Sequence, residues 1–245
     1  MARIERGARY IILNTDDELK RSLLLIEMAG RTCYRSEVDG EITYESASKF
    51  ARMLIKRGHE SVLEHGGMAV KFTGSRGLSH EQVRHRVGVA YSQESTRYVD
   101  YTKGGRMDLD DFEMGVILPP HRDINELISL PDGRELTPIN MVNELEVYYR
   151  ALRQAGWLPE EARQFLPIGL ETNIVVTANW RQWRHMVKER AAKPAHSEIR
   201  GVYGKLLVNL KSIVPALFED FEEKGVDING LPYYGLVDRR TMVNG

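Results

Sequence analysis

A run of β-branched residues, Ile174-Val175-Val176-Thr177, leads into Asn179 and a helical pattern from Trp180 to Arg190. Branching at Cβ favours a pleated strand over a helix, and asparagine is a good helix N-cap. The junction therefore reads as a buried strand turning into a helix without a glycine-rich connection. No G-x-G-x-x-G follows a strand here, so a doubly wound dinucleotide-binding fold is not supported. Met68-Ala69-Val70-Lys71-Phe72 alternates like a strand with one buried face. Separated strands among many helices, with no internal repeat, predict one α+β domain over residues 1–245.

Local signals place the helices. Thr15 with Glu18 predicts a capping box, opening a helix through Leu19, Leu23 and Ile26 toward Gly30. A second helix is predicted from about Tyr44 to Lys56, stopping at Gly58. Ser75 to Arg86 reads as a helix or turn-helix. Residues 101–136 carry Gly104-Gly105, Pro119-Pro120 and Asp132-Gly133 and read as an irregular insertion. Thr137-Pro138 opens a further helix whose apolar face is Val142, Leu145, Tyr149 and Leu152. A short helix is expected from Pro159 to Leu166, and a last long one from about Ser197 to Phe218.

The 245 residues are 42% hydrophobic and 28% charged, with a formal net charge of −1. That balance gives no global electrostatic case for binding long nucleic acid. Cys33 is the single cysteine. No intrachain disulfide or cysteine-rich metal site can form, and a cytoplasmic setting is the simple expectation. The charged start, MARIERGARYIIL, does not read as a signal peptide, and no apolar run approaches the ~20 residues that span a bilayer.

Basic residues are instead concentrated locally. The segment Arg84 to Tyr98 reads RHRVGVAYSQESTRY. Guanidinium forks match phosphate oxygens in two-point contacts, and a polar run suits a base edge or sugar hydroxyls. Consecutive helical residues point about 100° apart, so Arg84, His85 and Arg86 cannot all reach one phosphate. Either they sit where the helix ends, or they serve different ligands. A solvated basic face and a polar surface loop are the plain alternatives. After Asn179, Arg181, Arg184, His185 and Lys188 recur at helical spacing as one basic stripe opposite Trp180, Trp183 and Val187. For Arg184 and Lys188 an ordinary charged outer face is the preferred reading. His59 and His65 lie on different faces of any helix and lack the H-E-x-x-H spacing, so no metal is expected. His65 reads as a hydrogen-bonded core histidine and Cys33 as a small buried residue.

These segments together resemble the flavin-dependent thymidylate synthases. The resemblance rests on the RHR triplet with the downstream S-x-R, on His59-Glu60-Ser61 with Glu64-His65, on Arg163 in EARQFLP, and on Asn179 to Arg200. It implies an α+β fold with an antiparallel sheet flanked by helices, a homotetramer with sites at subunit contacts, and an enzyme. The implied reaction is C5 methylation of dUMP, with FAD as cofactor and NADPH and methylenetetrahydrofolate as co-substrates. By resemblance Glu81, Arg84, Gln93, Glu94, Ser95, Arg97, Arg163 and Arg190 bind the nucleotide, Arg190 meeting the pyrimidine as the catalytic cation. His59, Ser61, Glu64, Arg84, His85, Arg86, Asn179, Arg181, His185 and His196 hold FAD. The class that uses no flavin needs a cysteine nucleophile, and Cys33 lacks its surroundings.

One departure bears on substrate choice. The spacing from Arg86 to Ser95 is one residue longer than usual for the family, with the extra residue in Val87-Gly88-Val89-Ala90. Such an insertion is expected to bulge the backbone beside the nucleotide and to admit UMP as well as dUMP. The alternatives are a UMP-preferring methylase of nucleoside-antibiotic biosynthesis and a non-catalytic flavin or nucleotide binder. An RNA-binding protein is disfavoured by the balanced charge.

Overall fold

The structure, a computed structural model, describes residues 2–35, 41–99 and 114–238. In chain order its elements are β1 (Arg3–Arg6), β2 (Arg9–Ile12), α1 (Asp16–Tyr34), α2 (Tyr44–Arg57), a 3-10 turn (Glu60–His65), β3 (Gly67–Ser75), α3 (Arg76–Gln82) and β4 (Val89–Gln93). There follow β5 (Gly115–Leu118), β6 (Ile128–Ser129), β7 (Glu135–Leu136), α4 (Pro138–Gln154), α5 (Pro159–Ala162), a second 3-10 turn (Arg163–Phe165) and β8 (Glu171–Asn179). The chain ends with α6 (Trp180–Arg190), α7 (Ser197–Ile213), α8 (Pro215–Phe218), β9 (Phe221–Val226) and β10 (Pro232–Leu236). Among the described residues no helix is long and apolar enough to cross a membrane.

The chain groups into two compact units of discontinuous segments. The first comprises Met1–Arg9, Thr73–Val83 and Ser92–Ile174, and the second Tyr10–Phe72, Arg84–Tyr91 and Val175–Gly245. A four-stranded sheet has the order β2-β3-β8-β4. Trp180 donates to the Gly66 carbonyl just beyond one end of the β3–β8 pair and Arg76 to Leu170 just beyond the other, so these strands run antiparallel. A separate two-stranded sheet pairs β1 with β5 in parallel.

In the first unit, Val142, Tyr149 and Leu152 of α4 pack with Met114, Val116, Ala162 and Leu170, and Leu145 is partly buried against them. This is the apolar face predicted from spacing. Thr137 caps the helix through Asn140. Glu146 is also buried there, accepting from Met114 N at 2.8 Å and pairing with Arg150.

The second unit carries the larger aromatic core. Met68, Val70 and Phe72 form the buried face of β3. Phe72 stacks on Tyr203 with ring centroids 5.4 Å apart, and the Trp183 indole donates to the Met68 carbonyl at 2.9 Å. The Thr15–Glu18 capping box opens α1, and Gly58, in the left-handed conformation, ends α2. Glu27 of α1 is fully buried, paired with Arg31 and accepting from Ser46 of α2 at 2.6 Å.

Several expectations are corrected. The last long helix breaks at Val214, because Pro215 lacks an amide donor and disfavours helical geometry before it. The helix predicted from Ser75 to Arg86 ends at Gln82. Residues 101–136 are not irregular throughout, since β5 is a paired strand and β6–β7 a small hairpin, while 100–113 lie outside the described residues. Cys33 is exposed, on the last turn of α1, and His65 is exposed too.

Gly67 sits where β3 passes β8. A Cβ there would lie 2.3 Å from the Ala178 carbonyl oxygen and 2.9 Å from Asn179 Cα, both backbone atoms that cannot swing aside. Gly67→Ala is expected to lower stability by about 1–3 kcal/mol or more. Gly201→Ala, in a helix with nothing within 4 Å of the added methyl, is expected to be neutral or stabilising by about 0.5–1 kcal/mol. Paired thermal melts check both, and equal melting temperatures for the two variants would refute the steric argument.

Candidate functional site

The basic stripe predicted on α6 is real, and it faces a cavity. Asn179 caps the helix, its side chain accepting from Gln182 N at 2.9 Å. This sets Arg181, Arg184, His185 and Lys188 along one wall of a cavity of about 540 Å³ in the second unit. Glu60 and Glu64 of the first 3-10 turn, Val87 and Gly88 before β4, and Phe221 and Leu236 of the last hairpin complete it. The lining combines cations, carboxylates, amides and apolar side chains, as suits a ligand with an anionic part and a flat apolar part. Arg181 pairs with Glu64 at 2.5 Å, both about half exposed.

Arg184 overturns the expectation of a charged outer face. Its side chain is 5% exposed. The guanidinium forks onto Asp220 at 2.8 and 2.7 Å, also donates to the Leu217 carbonyl, and lies over the Phe221 ring. Its Nε has no hydrogen-bond partner. Arg184 therefore joins α6 to the start of β9, while Lys188 is exposed at the cavity.

The RHR triplet lies beyond the end of α3, and its side chains divide. Arg84 and Arg86 are exposed, whereas His85 is buried. The Tyr91 hydroxyl donates to the His85 carbonyl at 2.8 Å, the His85 and His185 rings meet edge to face with centroids 5.4 Å apart, and Arg190 Nε donates to His85 Nε2 at 2.9 Å. Burial, with smaller contributions from the Arg190 and His185 charges, pushes the His85 pKa down to about 4. A neutral ring that accepts at Nε2 carries its proton on Nδ1. Burial raises the Tyr91 phenol to about 12, Arg190 opposing it in part.

In the first unit the polar run forms a second cluster. Gln93 donates to Ser79 at 2.8 Å, and Glu94 accepts from Asn173 Nδ2 at 3.1 Å. Ser95 Oγ accepts from Arg97 N at 3.2 Å, shaping the turn after β4. Arg97 pairs with Glu160 at 3.3 Å, and Arg163 donates to Thr96 at 3.2 Å. Arg76 donates to the Glu94 carbonyl at 3.5 Å, a cation the sequence reading passed over because its signal was merely the residue after a helix cap. Glu81 is half-buried on the last turn of α3.

Of the residues assigned to flavin, Glu64, Asn179, Arg181 and His185 line the one cavity, with His85 against His185. His59, Ser61 and His196 are exposed and do not line it. His196 caps α7, accepting from Glu198 N at 3.4 Å. Of the residues assigned to the nucleotide, Glu81, Gln93, Glu94, Ser95, Arg97 and Arg163 belong to the first unit, Arg84 and Arg190 to the second. Gly88, in the extra-residue segment, has φ +65°, and a Cβ on it would stand 3.2 Å from Asn179 Nδ2. Val87 and Gly88 line the cavity of the second unit.

A family model described as thymidylate synthase complementing protein matches residues 16–216. The flavin-dependent thymidylate synthase of Mycobacterium tuberculosis (strain ATCC 25618 / H37Rv) is 34% identical over 208 residues, 81% of this chain and 79% of that one. The enzyme of the same name from Mycobacterium avium (strain 104) is 35% identical over the same shares. A UMP/dUMP methylase, PolB from Streptomyces cacaoi bound with 5-Br UMP, superposes with TM-score 0.63 at 19% identity, covering 89% of this chain and 95% of that one. Thymidylate Synthase X from Helicobacter pylori, with FAD and dUMP, gives 0.62 at 21%, covering 87% and 98%. At such identities these two structures show a shared fold.

The lowered pKa of His85 has a consequence for acid stability. The unfolded chain takes up a proton there near the ordinary histidine value of 6.5, the folded chain only at about 4. Stability from this group is complete above pH 6.5 and is lost as pH falls toward 4. His85→Gln removes the titration, so flavin-free variant protein is expected to lose less melting temperature than wild type between pH 6.5 and 4. Parallel pH–melting curves would contradict the assignment.

Proposed function

The chain belongs to the flavin-dependent thymidylate synthase family and is an enzyme of that methyltransferase class, and we propose that it methylates C5 of dUMP with methylenetetrahydrofolate as carbon donor and NADPH as reductant. The observation that carries this reading is the convergence of Glu64, Asn179, Arg181 and His185 on one cavity, with the His85–Arg190 pair beside His185. The cavity's mixed lining fits FAD: Arg181, Lys188 and His185 suit its anionic diphosphate, and Val87 and Leu236 the apolar end of its flat ring system. When bound, FAD supplies the hydride that NADPH delivers and that the one-carbon unit needs to become methyl.

The chain's own residues do the rest. Arg190 presents a permanent cation to the pyrimidine, favouring the charge that develops as C5 becomes nucleophilic. Gln93, Glu94, Ser95, Arg97 and Arg163 recognise the nucleotide, the two arginines taking its phosphate. The homotetramer that the resemblance implies would let the exposed Arg84 and Arg86 meet ligands shared with another subunit. The extra residue falls in the segment whose Val87 and Gly88 line this cavity, and UMP is kept beside dUMP as a second acceptor of this reading.

Purified protein incubated anaerobically with FAD, NADPH and methylenetetrahydrofolate, with dUMP and UMP in separate tubes, tests it. Mass spectrometry is expected to find one added methyl group on dUMP. Product from UMP as well would show a relaxed ribose pocket, and none from either would leave a flavin or nucleotide binder. Arg190→Ala is expected to lower methyl transfer by roughly 100-fold or more while FAD stays bound. Arg86→Ala should weaken FAD retention. Loss of FAD in the first variant, or unchanged flavin affinity in the second, contradicts the respective role.

A further inference from the structure

Arg190 closes α6, half-buried, and a guanidinium at a helix end has several rotatable bonds to settle. Its Nε carries a single in-plane hydrogen. An acceptor at that hydrogen fixes the plane of the whole fork, including the two outer nitrogens. Here the acceptor is His85 Nε2, at 2.9 Å. His85 is well suited to hold a direction. It is 8% exposed, its carbonyl is tied by the Tyr91 hydroxyl at 2.8 Å, and its ring abuts that of His185 at an interplanar angle of 79°. An imidazole nitrogen accepts only when unprotonated, and this ring is kept neutral by its burial and by the cation it receives.

We infer that His85 is a positioning residue for Arg190, its ring nitrogen setting the guanidinium plane that meets the nucleotide. This rests on the reading above of Arg190 as the pyrimidine contact. It differs from the flavin contact that the family resemblance gives His85, and the two roles can be separated. A contact to flavin persists whatever stands at position 190, whereas a positioning role disappears when Arg190 is gone.

The test is a double-mutant cycle on FAD-loaded enzyme. His85→Gln places an amide oxygen near the lost Nε2, His85→Leu removes the acceptor, and each is also made in an Arg190→Ala background. The readouts are dUMP affinity by calorimetry without turnover, kcat, and FAD bound per protomer. His85→Leu is expected to weaken dUMP binding about tenfold or more, the scale of one lost charge-assisted hydrogen bond. His85→Gln should stay within about threefold of wild type. In the Arg190→Ala background His85→Leu should change nothing further. Equal losses in both backgrounds, or loss of FAD with dUMP affinity per loaded protomer unchanged, overturn the proposal and leave His85 a flavin ligand. If the Leu variant does not fold, His85→Asn replaces it, its oxygen being too short to reach Arg190, and an Asn variant as good as Gln is equally fatal.

Nuclear magnetic resonance of the histidine rings judges the contact without activity. His85 is expected to titrate near 4 in wild type and higher in Arg190→Ala. An unmoved titration overturns the proposal. A dUMP affinity and kcat unaffected by Arg190→Ala would instead show that the reading of Arg190 itself has failed.

Discussion

The junction of β8 with α6 governs both the core and the cavity of the second unit. Asn179 ends the strand and caps the helix, and the next amide, Trp180 N, donates to the Gly66 carbonyl at 2.9 Å. These two bonds fix the rotational phase of α6. With that phase Trp180, Trp183, Met186 and Val187 are buried, and Arg181, His185 and Lys188 turn to the cavity. A helix has one phase, so the burial of two tryptophans decides where the cations point. The hydrophobic contribution of such side chains, about 1.5–3 kcal/mol or more each, exceeds what any single exposed cation contributes by its own pairing. Packing therefore orients the site, and the charges follow. The close passage of Gly67 beneath Ala178 and Asn179 belongs to the same junction, since a side chain there would push the cap away from its helix.

Arg184 shows why phase alone is incomplete. It belongs to the basic stripe by spacing, yet it is buried because Asp220, 36 residues later, meets its fork. A buried guanidinium without such a partner is costly, so the pair anchors the point where α8 gives way to β9. Arg200 acts similarly at the other end of that hairpin, pairing with Asp227 and donating to the Lys193 and Ala195 carbonyls. The hairpin that supplies Phe221 and Leu236 to the cavity wall is thus tied down by two buried arginines from α6 and α7.

What the sequence made legible follows the range of the interactions. The cap of α1, the glycine stop of α2, the Thr137 start of α4 and the Asn179 start of α6 depend on residues within four positions, and all were readable. The triplet's geometric constraint was readable too: Arg84, His85 and Arg86 sit past the helix end and diverge. The hairpin β9–β10 was not, because Glu222, Glu223 and Lys224 give its first strand no apolar alternation, and its anchors lie far away in sequence. His65 and Cys33 were misread for a related reason. Their residue types are often buried, but a 3-10 turn and a final helical turn expose them.

The divergence of the triplet explains how three adjacent polar residues avoid opposing one another. Two permanent cations and a third chargeable ring in sequence would repel if turned to one face. Burying the middle ring neutral removes one charge, and exposing both arginines lets water screen the other two. The neutral ring then gains a use that a cationic one cannot have. It offers a lone pair to Arg190, a donor arriving from the far end of α6. A lysine in the middle position would place a donor against a donor, and an apolar residue would leave Arg190 Nε without this partner. Histidine satisfies both demands because its charge yields to its surroundings.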